Sequence, residues 1–119
     1  MNYKIFTLTF LMIALSSCIS FKTLKSNTYI KANDAFILGN NEHGPFKAQL
    51  TNTSNFDLVI WQYPLEGGKH SEVILKPNES AKVQVAKNTS VRIYNRSENE
   101  ASVKLKVIGD TGLSMGYQN

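Results

Sequence analysis

Few side chains in this 119-residue chain stand at spacings that do chemistry. The two histidines, His43 and His70, fall in separate turn-rich stretches, each with one acid nearby, Glu42 and Glu72. A metal centre needs three or four converging ligands, and two isolated histidines do not supply them. Serines are plentiful, but no Gly-x-Ser-x-Gly elbow raises one of them as a nucleophile. Glu98 and Glu100 read as solvated loop acids. No glycine-rich phosphate loop stands at a strand–helix junction. The expectation is therefore a chain that is not an enzyme, with no catalytic residues, no metal ligands and no cofactor.

What remains is binding chemistry. Val91-Arg92-Ile93-Tyr94 and Val103-Lys104-Leu105-Lys106-Val107 both alternate apolar and polar residues. If the valines, Ile93 and Leu105 point inward, Arg92, Tyr94, Lys104 and Lys106 share the solvent side. Asn95–Glu100 is short enough to close the two segments into a hairpin, which sets these four residues side by side. Lys82 joins them if its strand pairs in the same sheet. Lys82, Arg92, Tyr94, Lys104 and Lys106 are thus the candidate surface for an anionic ligand, weighed against lysines that only keep a sheet soluble. Trp61 and Tyr63 share one face of another strand with Val59. Exposed, they would stack a sugar ring; but their strand is apolar on both faces, which favours the core.

The elements that must position these residues are strands. Apolar or alternating runs occur at Ala35–Leu38, Phe46–Leu50, Leu58–Tyr63, Glu72–Leu75, Ala81–Val85, Val91–Tyr94, Val103–Val107 and Leu113–Tyr117. An early strand is possible at Thr28–Lys31. Turn residues separate the runs, among them Gly39-Asn40-Asn41, Pro64 with Gly67-Gly68, Pro77-Asn78 and Gly109–Gly112, the last read as a hairpin loop. Strand starts recur every 8–13 residues or so, as in a sandwich or barrel. Past the leader, no window repeats apolar residues with helical period. The expected fold is an all-β antiparallel β-sandwich, Ig-like or jelly-roll, of seven to nine strands. Its core should include Val83, Val85, Val91, Ile93, Val103, Leu105 and Val107.

The leader gives an address. Lys4 precedes eleven mostly apolar residues, Ile5–Leu15, too few to span a bilayer as a helix. Leu15-Ser16-Ser17-Cys18 follows, and Cys18 is the only cysteine in the chain. This segment resembles the lipobox of bacterial lipoproteins. The resemblance covers residues 1–18 and implies that Cys18 is acylated and becomes the mature N-terminus, held by several acyl chains. Position 19 is Ile rather than the aspartate that commonly retains such proteins at the inner membrane, which implies the outer membrane of a Gram-negative cell. The domains are then a signal peptide (1–17), a lipidated cysteine and tether (18–33) and the sandwich (34–119). After Ser17 the chain has 12 basic and 9 acidic residues, too mild an excess for nucleic acid. Four Asn-x-Ser/Thr sequons, at Asn52, Asn78, Asn88 and Asn95, are expected to be chance in an Asn-rich bacterial chain.

Asp110-Thr111-Gly112 is similar to the active-site triplet of retropepsin-like aspartic proteases. That family runs an apolar strand straight into the aspartate and needs a second structural half after it. Here Gly109 intervenes and seven residues follow, so a glycine-flanked turn is expected. Function reduces to a non-enzymatic envelope lipoprotein whose β-sandwich binds an envelope protein, a polysaccharide or an anionic polymer. The alternatives are a small lipoprotein inhibitor of a hydrolase, acting through Asn40–Pro45 or Leu65–His70, and less favourably an undetected hydrolase.

Overall fold

A computed structural model describes residues 22–119. The segment expected to be a signal peptide, Cys18 and the residues up to 21 lie outside the described residues. Nine strands run in chain order: β1 Thr23–Ile30, β2 Asp34–Leu38, β3 Phe46–Asn52, β4 Leu58–Pro64, β5 His70–Leu75, β6 Ser80–Val85, β7 Thr89–Asn95, β8 Ala101–Gly109 and β9 Met115–Tyr117. Every expected strand forms, and there is no helix among the described residues. Period-two patterning explains why. In β8, Ala101, Val103, Leu105 and Val107 are buried while Lys104 and Lys106 are exposed, so alternate side chains enter the core.

The strands form two sheets, ordered β1-β8-β3-β6 and β5-β4-β7-β2-β9. All pairs are antiparallel. Of the eight connections, only β4–β5 joins neighbours in one sheet; the other seven cross between sheets. This is a jelly roll, with β9 added outside β2. One core lies between the layers: Ile30, Phe46, Leu50, Val103 and Leu105 from the four-stranded sheet meet Phe36, Leu38, Leu58, Ile60 and Ile93 from the five-stranded one. All seven core residues named from the alternation are buried.

Three expectations need correction. First, residues 23–30, expected to belong to a tether, are a strand: β1 pairs with β8 along its whole length, from Thr23↔Ile108 to Ile30↔Ala101. Its pattern is weaker because two of its inward positions, Ser26 and Thr28, are polar. They face each other as a 3.0 Å hydroxyl pair. Second, β7 and β8 are not a hairpin. The chain leaves one sheet at Asn95 and enters the other at Ala101. Third, Gly109–Gly112 is a crossover rather than a hairpin loop, since β8 and β9 lie in different sheets. Gly109 has φ 118, and a Cβ there would sit 3.1 Å from the Pro45 carbonyl oxygen, so the exit from β8 requires glycine.

Two crossovers share one device. Asn95 is buried; its Nδ2 donates to the Ile30, Lys31 and Asn99 carbonyls, at 2.9, 3.1 and 2.7 Å, and its Oδ1 accepts the Ser97 N–H and hydroxyl. Asn52 is also buried; it donates to the Phe56 and Leu75 carbonyls and accepts the Ser54 N–H and hydroxyl. Two of the four sequons are thus Asn-x-Ser turns with the amide inside the protein. Asn78 and Asn88 sit at φ 66 and 53, a backbone region that asparagine tolerates in turns.

Replacing Asn95 by Ala should destabilise the domain by about 2–4 kcal/mol, because it strands several buried carbonyls at roughly 1–3 kcal/mol each. Asn95→Asp should also destabilise, since a carboxylate cannot donate to those carbonyls. Urea unfolding checks both, and a cost under about 0.5 kcal/mol, the scale of a surface change, would contradict the pinning role.

Candidate functional site: two outer sheet faces

Strand pairing places the sequence-derived surface residues on opposite sides of the molecule. Lys82, Lys104 and Lys106 lie on the outer face of the four-stranded sheet, through β6 and β8. Arg92 and Tyr94 lie on β7, on the outer face of the five-stranded sheet. The single five-residue patch is therefore corrected to two surfaces. The hairpin that would have united them is a crossover, and the core separates the two faces.

The first surface is a lysine grid. Lys25, Lys106, Gln49 and Lys82 stand opposite one another across β1, β8, β3 and β6. Asn27, Lys104, Thr51 and Ser80 form the adjacent row, and Lys47 stands in the next, beside Ile108 and Gln84. The four strands carry five lysines and no acid. A groove of about 520 Å³ opens on this face, lined chiefly by Lys25, Asn27, Gln49, Thr51, Lys104 and Lys106. Ligand pockets usually occupy about 300–1,000 Å³. Lys25 and Lys106 are directly opposed in register, an arrangement that costs stability unless an anion intervenes. Sequence reasoning missed Lys25, Lys47, Asn27 and Gln49. Lys47 and Gln49 were legible as the outward residues of β3; only the strand order brings them beside Lys106.

The second surface is aromatic. Leu58, Ile60 and Gln62 of β4 point into the core, and Val59, Trp61 and Tyr63 point outward, half-buried. The expectation that Trp61 and Tyr63 are core is thus overturned. Cations cover their rings instead. Lys69 Nζ lies 4.3 Å from the Trp61 ring centre, the Arg92 guanidinium carbon 4.1 Å from that of Tyr63, and Arg96 5.5 Å from that of Tyr94. The Tyr63 and Tyr94 hydroxyls are 2.7 Å apart. Burial and then this hydroxyl pairing push the Tyr63 phenol above its ordinary value, against the lowering pull of Arg92 and Arg96.

The other candidate groups serve the loops. His43 is buried. Its Nδ1 lies against the Gly44 carbonyl, its Nε2 lies 2.8 Å from the Thr89 carbonyl and 3.2 Å from the Thr89 N–H, and its own N–H donates to Asn88 Oδ1. Asn41 Oδ1 accepts the Ser114 N–H and its Nδ2 donates to the Gly112 carbonyl, so Asn40–Pro45 is tied down rather than protruding. Leu65–Lys69 is exposed. His70 is exposed and shares a 2.8 Å hydrogen bond with its chain neighbour Ser71, which takes φ 62 in the β4–β5 irregularity. Among the described residues no group of three His, Cys, Asp or Glu gathers as a metal site would require.

Asp110 of the protease-like triplet accepts the Gly44 N–H at 2.6 Å and the Gly112 N–H at 2.8 Å. Those two bonds lower its carboxyl below the ordinary aspartate value, with smaller help from His43 and Lys22 and against a small desolvation cost. Its chemistry is that of a loop tie.

No protein family matches the chain, and no curated protein does. The fold is similar to part of the capsular polysaccharide assembling protein CapF from Staphylococcus aureus, at TM-score 0.54 and 15% identity, over 72% of this chain and 24% of that one. CapF crystallised with the inhibitor 3-isopropenyl-tropolone gives TM-score 0.53 and 16% identity, over 74% of this chain and 27% of that one. A cupin-superfamily sugar phosphate isomerase from Silicibacter pomeroyi gives TM-score 0.49 and 10% identity, over 88% and 72%. The chain spans about a quarter of CapF. At these identities the likeness is one of fold.

Acidification should loosen the Asp110 tie. Its depressed carboxyl contributes stability that is present above the unfolded value, about 3.9, and is lost as pH falls through the lower folded value. Urea midpoints of wild type and Asp110→Ala should therefore differ at pH 7 and converge below about pH 4. A constant difference across that range would assign the effect to packing.

Proposed function

We propose that this protein is a non-enzymatic, lipid-anchored module of a bacterial envelope that binds an anionic polymer through the outer face of its four-stranded sheet. One observation carries the reading. All nine acids of the chain lie outside that sheet, while five of its thirteen basic residues are gathered on it. A mild overall excess becomes a single-signed face with a groove at its centre. Such a face draws polyanions by summed potential rather than by one tight pair. Lysine suits it: its ammonium is a flexible point charge that follows a chain of phosphates or carboxylates without demanding one geometry. The lipobox-like segment ending at Cys18 supports the anchor, and the acyl chains would hold the module at the outer membrane, within reach of envelope polymers.

Two measurements test the two halves of this reading. Long-chain polyphosphate titrated calorimetrically into the wild type at low salt should bind, and binding should weaken as salt rises. The triple change Lys25→Glu, Lys104→Glu, Lys106→Glu should weaken it at least about tenfold, or about 1.4 kcal/mol, with the circular dichroism spectrum unchanged. Unchanged affinity in the triple variant, or no binding by the wild type, would remove the polymer reading. For the anchor, wild-type protein should stay in the membrane fraction through a high-salt wash, because acyl anchoring does not depend on charge screening. Cys18→Ala should yield unprocessed precursor or a soluble product, and release of the wild type by salt alone would argue against acylation.

A further inference from the structure

The opposite face carries a different chemistry. On the five-stranded sheet, Trp61 stands directly across from Arg92 in the β4–β7 register. Trp61 is also covered by Lys69 Nζ at 4.3 Å, so one half-buried indole is flanked by two cations on two separate elements. The two cations are held differently. Arg92 is fixed: its guanidinium lies on the Tyr63 ring, and the Tyr63–Tyr94 hydroxyl pair holds that ring in place. Its Nε is buried and has no hydrogen-bond partner among the described residues, and folded proteins seldom leave a buried donor unpaired. Lys69 stands in open solvent on a glycine-bearing loop: it is exposed, and Gly67 and Gly68 before it take φ 124 and 79 with open space around both. Neither β4 nor β7 carries an acid; Glu72 on β5 and Asp34 at the start of β2 are the acids in this sheet. Asp34 is occupied by the Ala35 and Asn119 N–H groups.

We propose that this face is a second binding site, for a saccharide whose rings bear carboxylates, as in a uronic-acid glycan. The sugar ring lies on Trp61, its C–H groups against the electron-rich indole face as a cation would be. Lys69 gives way from that face and follows the carboxylate. The planar fork of Arg92, already oriented by Tyr63, takes the same carboxylate in paired hydrogen bonds. A neutral sugar would leave both cations without their partner, and a simple polyanion would leave the aromatic platform unused. The choice of a glycan over a single-stranded nucleic acid rests on the envelope reading above; the site itself rests on the geometry of this face.

The chain has one tryptophan, so its fluorescence reports on this face alone. Trigalacturonic acid titrated into the full chain should change Trp61 emission to saturation. Its methyl ester, which keeps the rings and loses the charges, should bind at least about tenfold more weakly. Arg92→Gln should weaken the acid about tenfold, and Arg92→Lys should fall between, having charge without the fork. The ester comparison uses unaltered protein, so it stands even if an Arg92 variant folds poorly. The triple lysine variant of the other face should respond as wild type does. Equal binding of acid and ester, or no change in emission with either, would overturn the carboxylate site. So would a response to oligouridylate matching that to trigalacturonic acid. Loss of the trigalacturonate response in the triple lysine variant would show that the response depends on the lysine grid, overturning this site while leaving the polymer reading intact. Absence of polyphosphate binding by the wild type, with the trigalacturonate response retained, would do the reverse.

Discussion

The buried amides of Asn52 and Asn95 hold the chain where it changes sheets, and the placement of every surface residue depends on that change. A jelly roll spends seven of its eight connections crossing between layers. At each crossing, backbone groups leave one ladder before they enter another, and buried groups left without partners are costly. A water-filled turn would meet this need at the rim but not at Asn95, which is 1% exposed. Its side chain meets it from inside, joining the end of β1, the start of the β1–β2 turn and the β7–β8 turn in one set of hydrogen bonds. Asn52 ties the end of β5 to the β3–β4 turn in the same way. Apolar burial drives the layers together but is indifferent to connectivity. Directional bonds at these two positions specify which strand follows which across the core. Without the crossing at Asn95, Arg92 and Lys104 would share a face.

That same constraint sets what the sequence could and could not disclose. Inward positions were legible because they depend only on the period of two within one strand: Val83, Val85, Val91, Ile93, Val103, Leu105 and Val107 all lie in the core. Strand positions were legible for the same reason, aided by turn residues such as Pro77 and Gly39. Strand order was not, because the pairings that define the sheets, β1 with β8 and β3 with β6 and β8, join segments tens of residues apart. Nothing local in Asn95–Glu100 separates a hairpin from a crossover of equal length; the difference is whether Asn95 points at its own turn alone or also at Ile30 and Lys31. Trp61 and Tyr63 misled for another reason. An apolar strand reads as buried on both sides, but here the covering groups are Lys69 and Arg92, brought from other segments. Cations over rings satisfy an aromatic face without burying it, and no one-strand pattern records them.

The two outer faces show how one core supports two chemistries. Inward residues of β8 and β4 supply the apolar contact that holds the sandwich, which leaves alternate positions free of that duty. On the four-stranded sheet those positions hold lysines, including the opposed pair Lys25 and Lys106, whose repulsion works against the pairing of β1 with β8. Leu24, Thr28 and Ile30 on the inner side of the same strand offset it. On the five-stranded sheet the outward positions hold rings, and the basic residues there are spent on those rings rather than left in water. A guanidinium on a phenol is weakly hydrated and directional, and an ammonium on an open sheet is strongly hydrated and directionless. The first arrangement fixes the direction of its charge; the second leaves its charge free to turn. Because the core keeps the faces apart, a change to one can leave the other intact, and the two surfaces are separable by mutation in a way that a single mixed patch would not be.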